Sequence, residues 1–304
     1  MAVTPRTAAT VMLMRTAADG SVETFLLKRH EASAFMGGNF VYPGGSVEPG
    51  DNDRSILPYC RGIPSNAAAA PEKMDPGELL GYRVCALREL FEEAGVLLAC
   101  KQSGGSCTAD PIPERDRLAA YRGQIDRGEI GMTDLAKGEN LVYELDQLIY
   151  VDRWITPEAR HIRFDTRFYL SFCPEDQHAS SDQKETVQGL WMSPCEAIDA
   201  NLRGSIALSP PAVETLEMLS PFNTRSSLLG FLEEREPRTV LPILTKATDG
   251  PVILFPWDEE YEALNQLKTA QPRLSRVRND REKTTRVLLK DGRWLPCRPQ
   301  GNVS

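Results

Sequence analysis

Basic residues are in the minority in this 304-residue chain, 35 Lys and Arg against 43 Asp and Glu, for a net charge of -8 and a pI ≈ 5.2. Nucleic-acid surfaces neutralise phosphates with clustered Lys and Arg, so the balance argues against a nucleic-acid partner while leaving room for a local basic pocket. Long hydrophobic runs are also missing. No stretch approaches the roughly 18 apolar residues that mark a membrane helix, and the N-terminus lacks the charged-then-apolar pattern of a secretory signal. A cytoplasmic protein without a membrane partner is expected, and the ending Gly301-Asn302-Val303-Ser304 is not a Ser-Lys-Leu type peroxisomal tail. Cysteine is present without order: seven residues, an odd number with no Cys-x-x-Cys pair, which argues against a disulfide framework or a structural zinc site. There are three histidines, His30, His161 and His178, at spacings that make no zinc-protease motif, and each is expected at the surface or in hydrogen-bonded structure.

What the chain does have is carboxylate gathered on one helix. In Arg88-Glu89-Leu90-Phe91-Glu92-Glu93-Ala94-Gly95-Val96 a helical repeat puts Glu89, Glu92 and Glu93 on one face and Val84, Leu87, Leu90, Phe91 and Ala94 on the other. Like charges three and four residues apart repel, so this face calls for a compensating cation. Oxygen ligands on a rigid helix suit a hard divalent ion, Mg²⁺ or Mn²⁺. Asp75 reads as the N-cap of the helix, Pro76 as its first residue and Gly95 as its left-handed stop.

Arg-Glu-aliphatic-x-Glu-Glu-x-Gly-aliphatic matches the second half of the Nudix box, and Pro43-Gly44-Gly45-Ser46-Val47-Glu48-Pro49-Gly50-Asp51 resembles the first. The chain is similar to Nudix hydrolases, with two departures: Asp51 stands where the box has glutamate, and an insertion splits the box. That split, the lead-in Leu26–His30 and Gly37–Pro43, and the later Trp154–Pro157 and Arg163–Thr166 resemble the branch that hydrolyses coenzyme A and its acyl esters. The resemblance covers roughly residues 8–220. It implies an α/β fold, an α/β/α sandwich with a mixed β-sheet, and a small-molecule nucleotide-type substrate.

The resemblance also assigns roles. Glu89 and Glu93 would be the principal metal ligands, Glu92 a further ligand or an outer group, and Gly45 would offer a backbone carbonyl. Arg88 would orient a carboxylate, with Asp51 as its partner in place of the box glutamate. Glu185, in the loop before the last strand, matches a position that commonly delivers another carboxylate, so the base is a helix glutamate or Glu185. The implied reaction is metal-dependent hydrolysis of a phosphoanhydride. Coenzyme A or acyl-CoA would give 3′,5′-ADP and (acyl-)phosphopantetheine; ADP-ribose, NADH or a nucleoside triphosphate are the alternatives. A non-catalytic Nudix-fold ligand sensor is the alternative class, and retention of Arg88, Glu89, Glu92 and Glu93 favours the enzyme.

Along the chain, Ala8–Arg15 and Val22–Arg29 read as a hairpin and Phe40–Tyr42 as a short strand. Residues 52–75 read as the inserted loop, Leu97–Ala99 as a strand, and 101–113 as a Ser/Gly/Pro-rich connection holding Cys107. Extra helices fall in 114–145, one at Glu114–Arg127 and one at Met132–Leu145. Strands follow at Leu148–Ile155, Arg163–Cys173 and Gln188–Met192, with helices at Pro194–Asn201 and from Pro210. Arginines that alternate along a strand beside a site fork onto phosphates. Arg29, Arg163 and Arg167 are therefore the substrate-binding candidates, with an Arg163 to Asp165 ion pair as the competing reading. Trp154 reads as core. The Nudix domain is placed at 1–220 and a β-rich appendage packed on it at 221–304, with strands at Thr239–Leu244, Val252–Phe255 and Arg286–Leu289. A basic run at 268–284 (Lys268, Arg273, Arg276, Arg278, Arg281, Lys283) reads as a solvated loop, an interface or a phosphate contact. Homodimerisation is left open.

Overall fold

The computed structural model describes residues 3–34, 36–63, 74–102, 115–266, 271–278 and 282–300. Strands β1 (Arg6–Thr16) and β2 (Val22–Arg29) pair antiparallel at Met14–Thr16, closing the expected hairpin. Ala9, Val11 and Leu13 point into one core and Met12 and Met14 into another, so β1 is buried on both faces and reads as a near-continuous apolar run. Strand β3 (Phe40–Val41) pairs with β2, and β4 (Gly44–Ser46) with β1 at Ala8–Thr10. The double-glycine segment is thus hydrogen-bonded to β1 as part of the sheet.

The insertion departs from a plain loop. It opens as two 3₁₀ turns, Pro49–Asn52 and Arg54–Tyr59, followed by β5 (Cys60–Arg61). Local side chains stabilise these turns: Asp51 accepts from Glu48 N at 2.8 Å, and Asp53 from Ser55 N at 2.9 Å. The part of the insertion at 64–73 lies outside the described residues.

Helix α1 (Pro76–Ala94) begins and ends as its sequence signals require. Asp75 accepts from Gly77 N at 2.8 Å, Pro76 is the first residue, and Gly95 adopts φ 69. The expectation of one core face and one charged face is corrected: Glu89 and Glu93 are buried along with the apolar residues. The strand expected at Leu97 begins two residues later, as β6 (Ala99–Lys101). The reason is Gln177, whose carboxamide accepts from Leu97 N and donates to Leu97 O, both at 2.8 Å, and so occupies that backbone. The 101–113 connection with Cys107 lies largely outside the described residues.

Both extra helices are present, α2 (Arg115–Asp126) and α3 (Met132–Glu139), but the second is shorter than expected. Asn140 turns left-handed at φ 53 and ends it, and the β-prone residues that follow form β7 (Leu141–Glu144), which joins β5 and β6 in a three-stranded sheet. Strands β8 (Ile149–Ile155), β9 (Phe164–Phe172) and β10 (Thr186–Met192) complete most of the main sheet, and α4 (Pro194–Arg203) and α5 (Pro210–Leu219) follow. Helix α6 (Arg225–Glu234), which the sequence reading omitted, leads into β11 (Arg238–Val240).

The main sheet runs β10-β2-β1-β9-β8-β11, parallel at β1–β9 and β8–β11 and antiparallel elsewhere, the mixed sheet expected. Helix α1 covers one face. The other face packs against α4, α5 and a C-terminal unit built from β12 (Ile243–Ala247), β13 (Gly250–Leu254), α7 (Tyr261–Gln266), β14 (Ser275–Val277), β15 (Arg286–Lys290) and β16 (Arg293–Pro299). Its five strands make an antiparallel sheet in the order β12-β13-β15-β16-β14. The segment read as one strand at Thr239–Leu244 is two, because β11 stays in the main sheet while β12 starts the second. No helix among the described residues is long and apolar enough to cross a membrane.

Candidate active site

Four acidic side chains of the split box meet where α1 passes β4. Arg88 is at their centre. It grips Asp51 with two parallel bonds, Nε to Oδ1 and Nη2 to Oδ2, each 2.9 Å, and donates through Nη1 to Glu89 at 2.9 Å and Glu92 at 2.7 Å. Asp51 is 2% exposed. The aspartate substituted for the box glutamate therefore reaches the arginine, because the first 3₁₀ turn of the insertion carries it inward. Arg88 also donates to Ser46 O at 3.0 Å, tying α1 to β4. Burial alone would lower the Arg88 pKa, but the hydrogen bonds it donates to Asp51 and the charge of Glu89 raise it, and the guanidinium stays charged.

Glu93 has a different surrounding. It accepts from Gly44 N at 2.9 Å and pairs with no cation among the described residues. Burial, then the charge of Glu89, push its pKa well above the usual carboxylate range. Burial likewise raises Glu89, to about 7, even against the pull of Arg88, and it raises Glu92. Three carboxylates sharing one guanidinium, with a fourth lacking any, leave an excess of buried negative charge that a cation would relieve.

The glycines account for how closely these parts fit. A Cβ on Gly45 would lie 2.3 Å from Glu89 Oε1, and one on Gly44 2.3 Å from Thr10 Oγ1 and 2.5 Å from Ala9 O. Backbone thereby comes into contact with the carboxylates. Among the described residues no three acidic, His or Cys side chains form a ready-made ion cage. A hard divalent ion that keeps several waters and uses one or two carboxylates with a carbonyl needs no such cage. Glu89 and Glu93 are oxygen donors of the kind such a site takes, while the Gly45 carbonyl, the expected backbone donor, accepts from Cys85 Sγ at 3.6 Å.

The cluster borders a cavity of ≈ 670 Å³ reached by Arg29, Glu48, Arg88, Glu89, Glu92 and Glu185. Glu185 sits at its mouth, half of a pair with Arg29 at 3.8 Å, and its carbonyl accepts from His30 N at 3.0 Å, which fastens this loop to the end of β2. Of the three arginines expected to bind substrate, Arg29 lines the cavity.

Arg163 and Arg167 do not. Arg163 is buried and donates to two backbone carbonyls, Thr156 O at 3.0 Å and Val3 O at 2.6 Å. Arg167 bonds Asp165 at 2.6 Å and lies over the Tyr82 ring at 4.7 Å, on the α1 side of the sheet. Strand alternation explains it: Phe164, Thr166 and Phe168 face the cavity, so Arg163, Asp165 and Arg167 face away. The competing Arg163 to Asp165 pair is also absent, since Asp165 is taken by Arg153 and Arg167. Trp154 is 4% exposed and packs in the core, while one side of it borders the cavity. The basic run is engaged elsewhere: Arg273 with Glu260 at 3.0 Å, Arg278 with Glu217, Arg276 with Glu282, and Lys283 over the Trp257 ring. Lys268 and Arg281 lie outside the described residues.

Sequence reasoning missed three contributors to the cavity. Arg160 borders it from the β8–β9 connection, the end of α2 borders it at Ile125–Gly128, and Pro242 and Ile253 reach it from the C-terminal unit. The polar turn around Arg160 offered no means of choosing between it and Arg163. The other two depend on long-range packing that local sequence does not encode.

A helix carrying buried carboxylates, closed by glycine, laid against a Gly-Gly strand and backed by a mixed sheet defines a Nudix hydrolase. The chain belongs to that class and, within it, to the family described as the NUDT19 Nudix domain, whose model matches residues 5–219. It is 32% identical over 275 residues to the chicken (Gallus gallus) acyl-coenzyme A diphosphatase NUDT19, covering 79% of this chain and 72% of that protein. The human enzyme of the same name is 29% identical over 306 residues, covering 88% of this chain and 78% of the relative. Among solved structures, a Nudix hydrolase from Alicyclobacillus acidocaldarius shares the fold with a TM-score of 0.61 at 23% identity, over 75% of this chain and 96% of that one.

Proposed function

We propose that this protein hydrolyses the diphosphate of coenzyme A or acyl-CoA, releasing 3′,5′-ADP and (acyl-)phosphopantetheine, with Mg²⁺ or Mn²⁺. The observation that carries the reading is the buried carboxylate cluster, in which Asp51, Glu89 and Glu92 share Arg88 and Glu93 stands beside them without a cation among the described residues, and which borders a cavity of ≈ 670 Å³ through Glu89 and Glu92. Relatives named acyl-coenzyme A diphosphatase that align over most of the chain supply the substrate class.

Glu89 and Glu93, with the Gly45 carbonyl, would hold the ion, and Glu92 would stay on Arg88 as an outer group. Bound there, a divalent ion neutralises the diphosphate and acidifies water. Arg88 keeps Glu89 oriented and is itself fixed by Asp51. Arg29 meets a substrate phosphate oxygen, releasing Glu185 to accept a proton from the attacking water; Glu89 is the other candidate for that proton.

Product analysis tests the reading. Purified protein with Mg²⁺ or Mn²⁺ is offered CoA, acetyl-CoA, ADP-ribose, NADH and dATP, and products are identified by mass spectrometry. Preferential release of 3′,5′-ADP from the CoA compounds is expected. Cleavage of another member instead would remove the substrate assignment, and no cleavage at all would favour a ligand sensor.

The charge excess gives a second expectation. In metal-free protein Glu89 keeps its proton up to about 7, whereas the unfolded chain releases it near the ordinary carboxylate value. The folded state thus holds more protons in that window, and its stability falls as pH rises from about 4.5 to about 7. A divalent ion should raise the melting temperature more at pH 8 than at pH 5. Equal shifts at both pH values would show that the ion is not bound by these carboxylates.

A further inference from the structure

The family match ends at residue 219, yet Pro242 and Ile253, which border the cavity, come from beyond it. Strand β11 extends the main sheet alongside β8 with Val240 opposite Trp154, which delivers Pro242 to the rim just past that strand. Ile253 lies opposite Leu244 in the second sheet, and Phe255 beyond it stands edge-on to Trp154 at 5.8 Å.

This wall is clamped in place by charge. Asp152, fully buried, accepts from Arg238 N at 2.6 Å and from Arg235 Nη2 at 2.6 and 2.7 Å. Arg238 also reaches Glu214 on α5 at 2.9 Å. Breaking a buried pair strands an unpaired charge, so the segment is held to the sheet as a fixed surface.

The cavity has two chemical ends. The carboxylates approach from α1, whereas Trp154, Phe168 and Ile253 belong to the core on the opposite face of the sheet, and Pro210 and Pro242 join them in lining that end. A ligand spanning both ends carries its diphosphate at the first and an apolar arm at the second. We propose that the C-terminal unit is the back wall of the substrate cavity and that Pro242 and Ile253 set how long an apolar arm, the acyl chain of a thioester, it admits. The inference rests on the proposed acyl-CoA reading and adds to it the specificity-determining residues.

The test compares kcat/KM for lauroyl-CoA with that for free CoA in the full chain, using Ile253→Trp, Ile253→Ala and Pro242→Trp. Removing room for methylenes at an apolar wall changes discrimination by factors of about ten and upward. The lauroyl-to-free ratio is expected to fall about tenfold in Ile253→Trp and Pro242→Trp, mainly through KM for the long ester, and to rise in Ile253→Ala. Because Ile253 is a core residue, circular dichroism melting accompanies each variant. Pro242 is itself buried, so should the tryptophan variants not fold, Ile253→Ala and Pro242→Ala, which only remove atoms, decide the matter through the expected rise in the ratio. A wild type that cuts both compounds, with folded variants leaving the ratio within about twofold, overturns this inference alone. A wild type that releases no 3′,5′-ADP from either compound overturns it together with the reading beneath it.

Discussion

Replacing Glu93 by glutamine is expected to lower kcat for the CoA substrate by about 10³-fold, the scale of losing a charged group acting directly on the reacting centre. The substitution is nearly isosteric, and the glutamine oxygen can still accept from Gly44 N, the one hydrogen bond the Glu93 side chain makes among the described residues, at 2.9 Å. What disappears is a negative charge that burial and Glu89 already disfavour. The metal-free variant should therefore melt at or above the wild-type temperature at pH 8, while the rise in melting temperature on adding Mg²⁺ shrinks. Loss of activity together with undiminished folding separates a ligand role from a structural one. A kcat within about tenfold of wild type would remove Glu93 from the reaction.

The nine residues Arg88–Val96 are readable in the sequence because the helix that carries them has locally marked ends. Helix α1 is specified locally: Asp75, Pro76 and Gly95 mark its ends, and its carboxylates fall at helical spacing. The β1–β2 hairpin is equally local. Arg163 and Arg167 were misplaced because alternation tells which residues share a face of a strand without telling which face holds the cavity. Residues 141–144 were drawn into a helix because Asn140, the left-handed stop, has weaker sequence character than glycine. The joining of β11 to the main sheet, and with it the C-terminal wall of the cavity, rests on pairing with β8 across more than eighty residues of chain. Such pairing is decided by global packing, which a local reading cannot reach. The Asp51 to Arg88 pair is intermediate, since the box pattern suggests it and only the 3₁₀ turn of the insertion makes it geometrically attainable.

Removing the Arg88 guanidinium, as in Arg88→Met, should cost about 3–5 kcal/mol of stability, the range for breaking a buried ion pair by deleting one partner. Asp51 at 2% exposure and Glu89 at 9% would be left without their cation, and the Ser46 contact that ties α1 to β4 would be lost too. Arg88→Lys should recover only part of this, because one ammonium cannot hold Asp51 through two parallel bonds and reach Glu89 and Glu92 as well. The deficit also has a pH signature. Without Arg88 the Glu89 pKa moves further above about 7, and Glu92, which Arg88 now pulls down against burial, moves up with it. Raised carboxylate values favour folding at low pH and lose that advantage as pH rises through them. In urea titrations with chelator present, the gap between wild type and Arg88→Met should be wider at pH 8 than at pH 5. If the gap is the same at both, the loss comes from packing of the arginine stem and the tie to Ser46, and the charge-sharing account of the cluster fails.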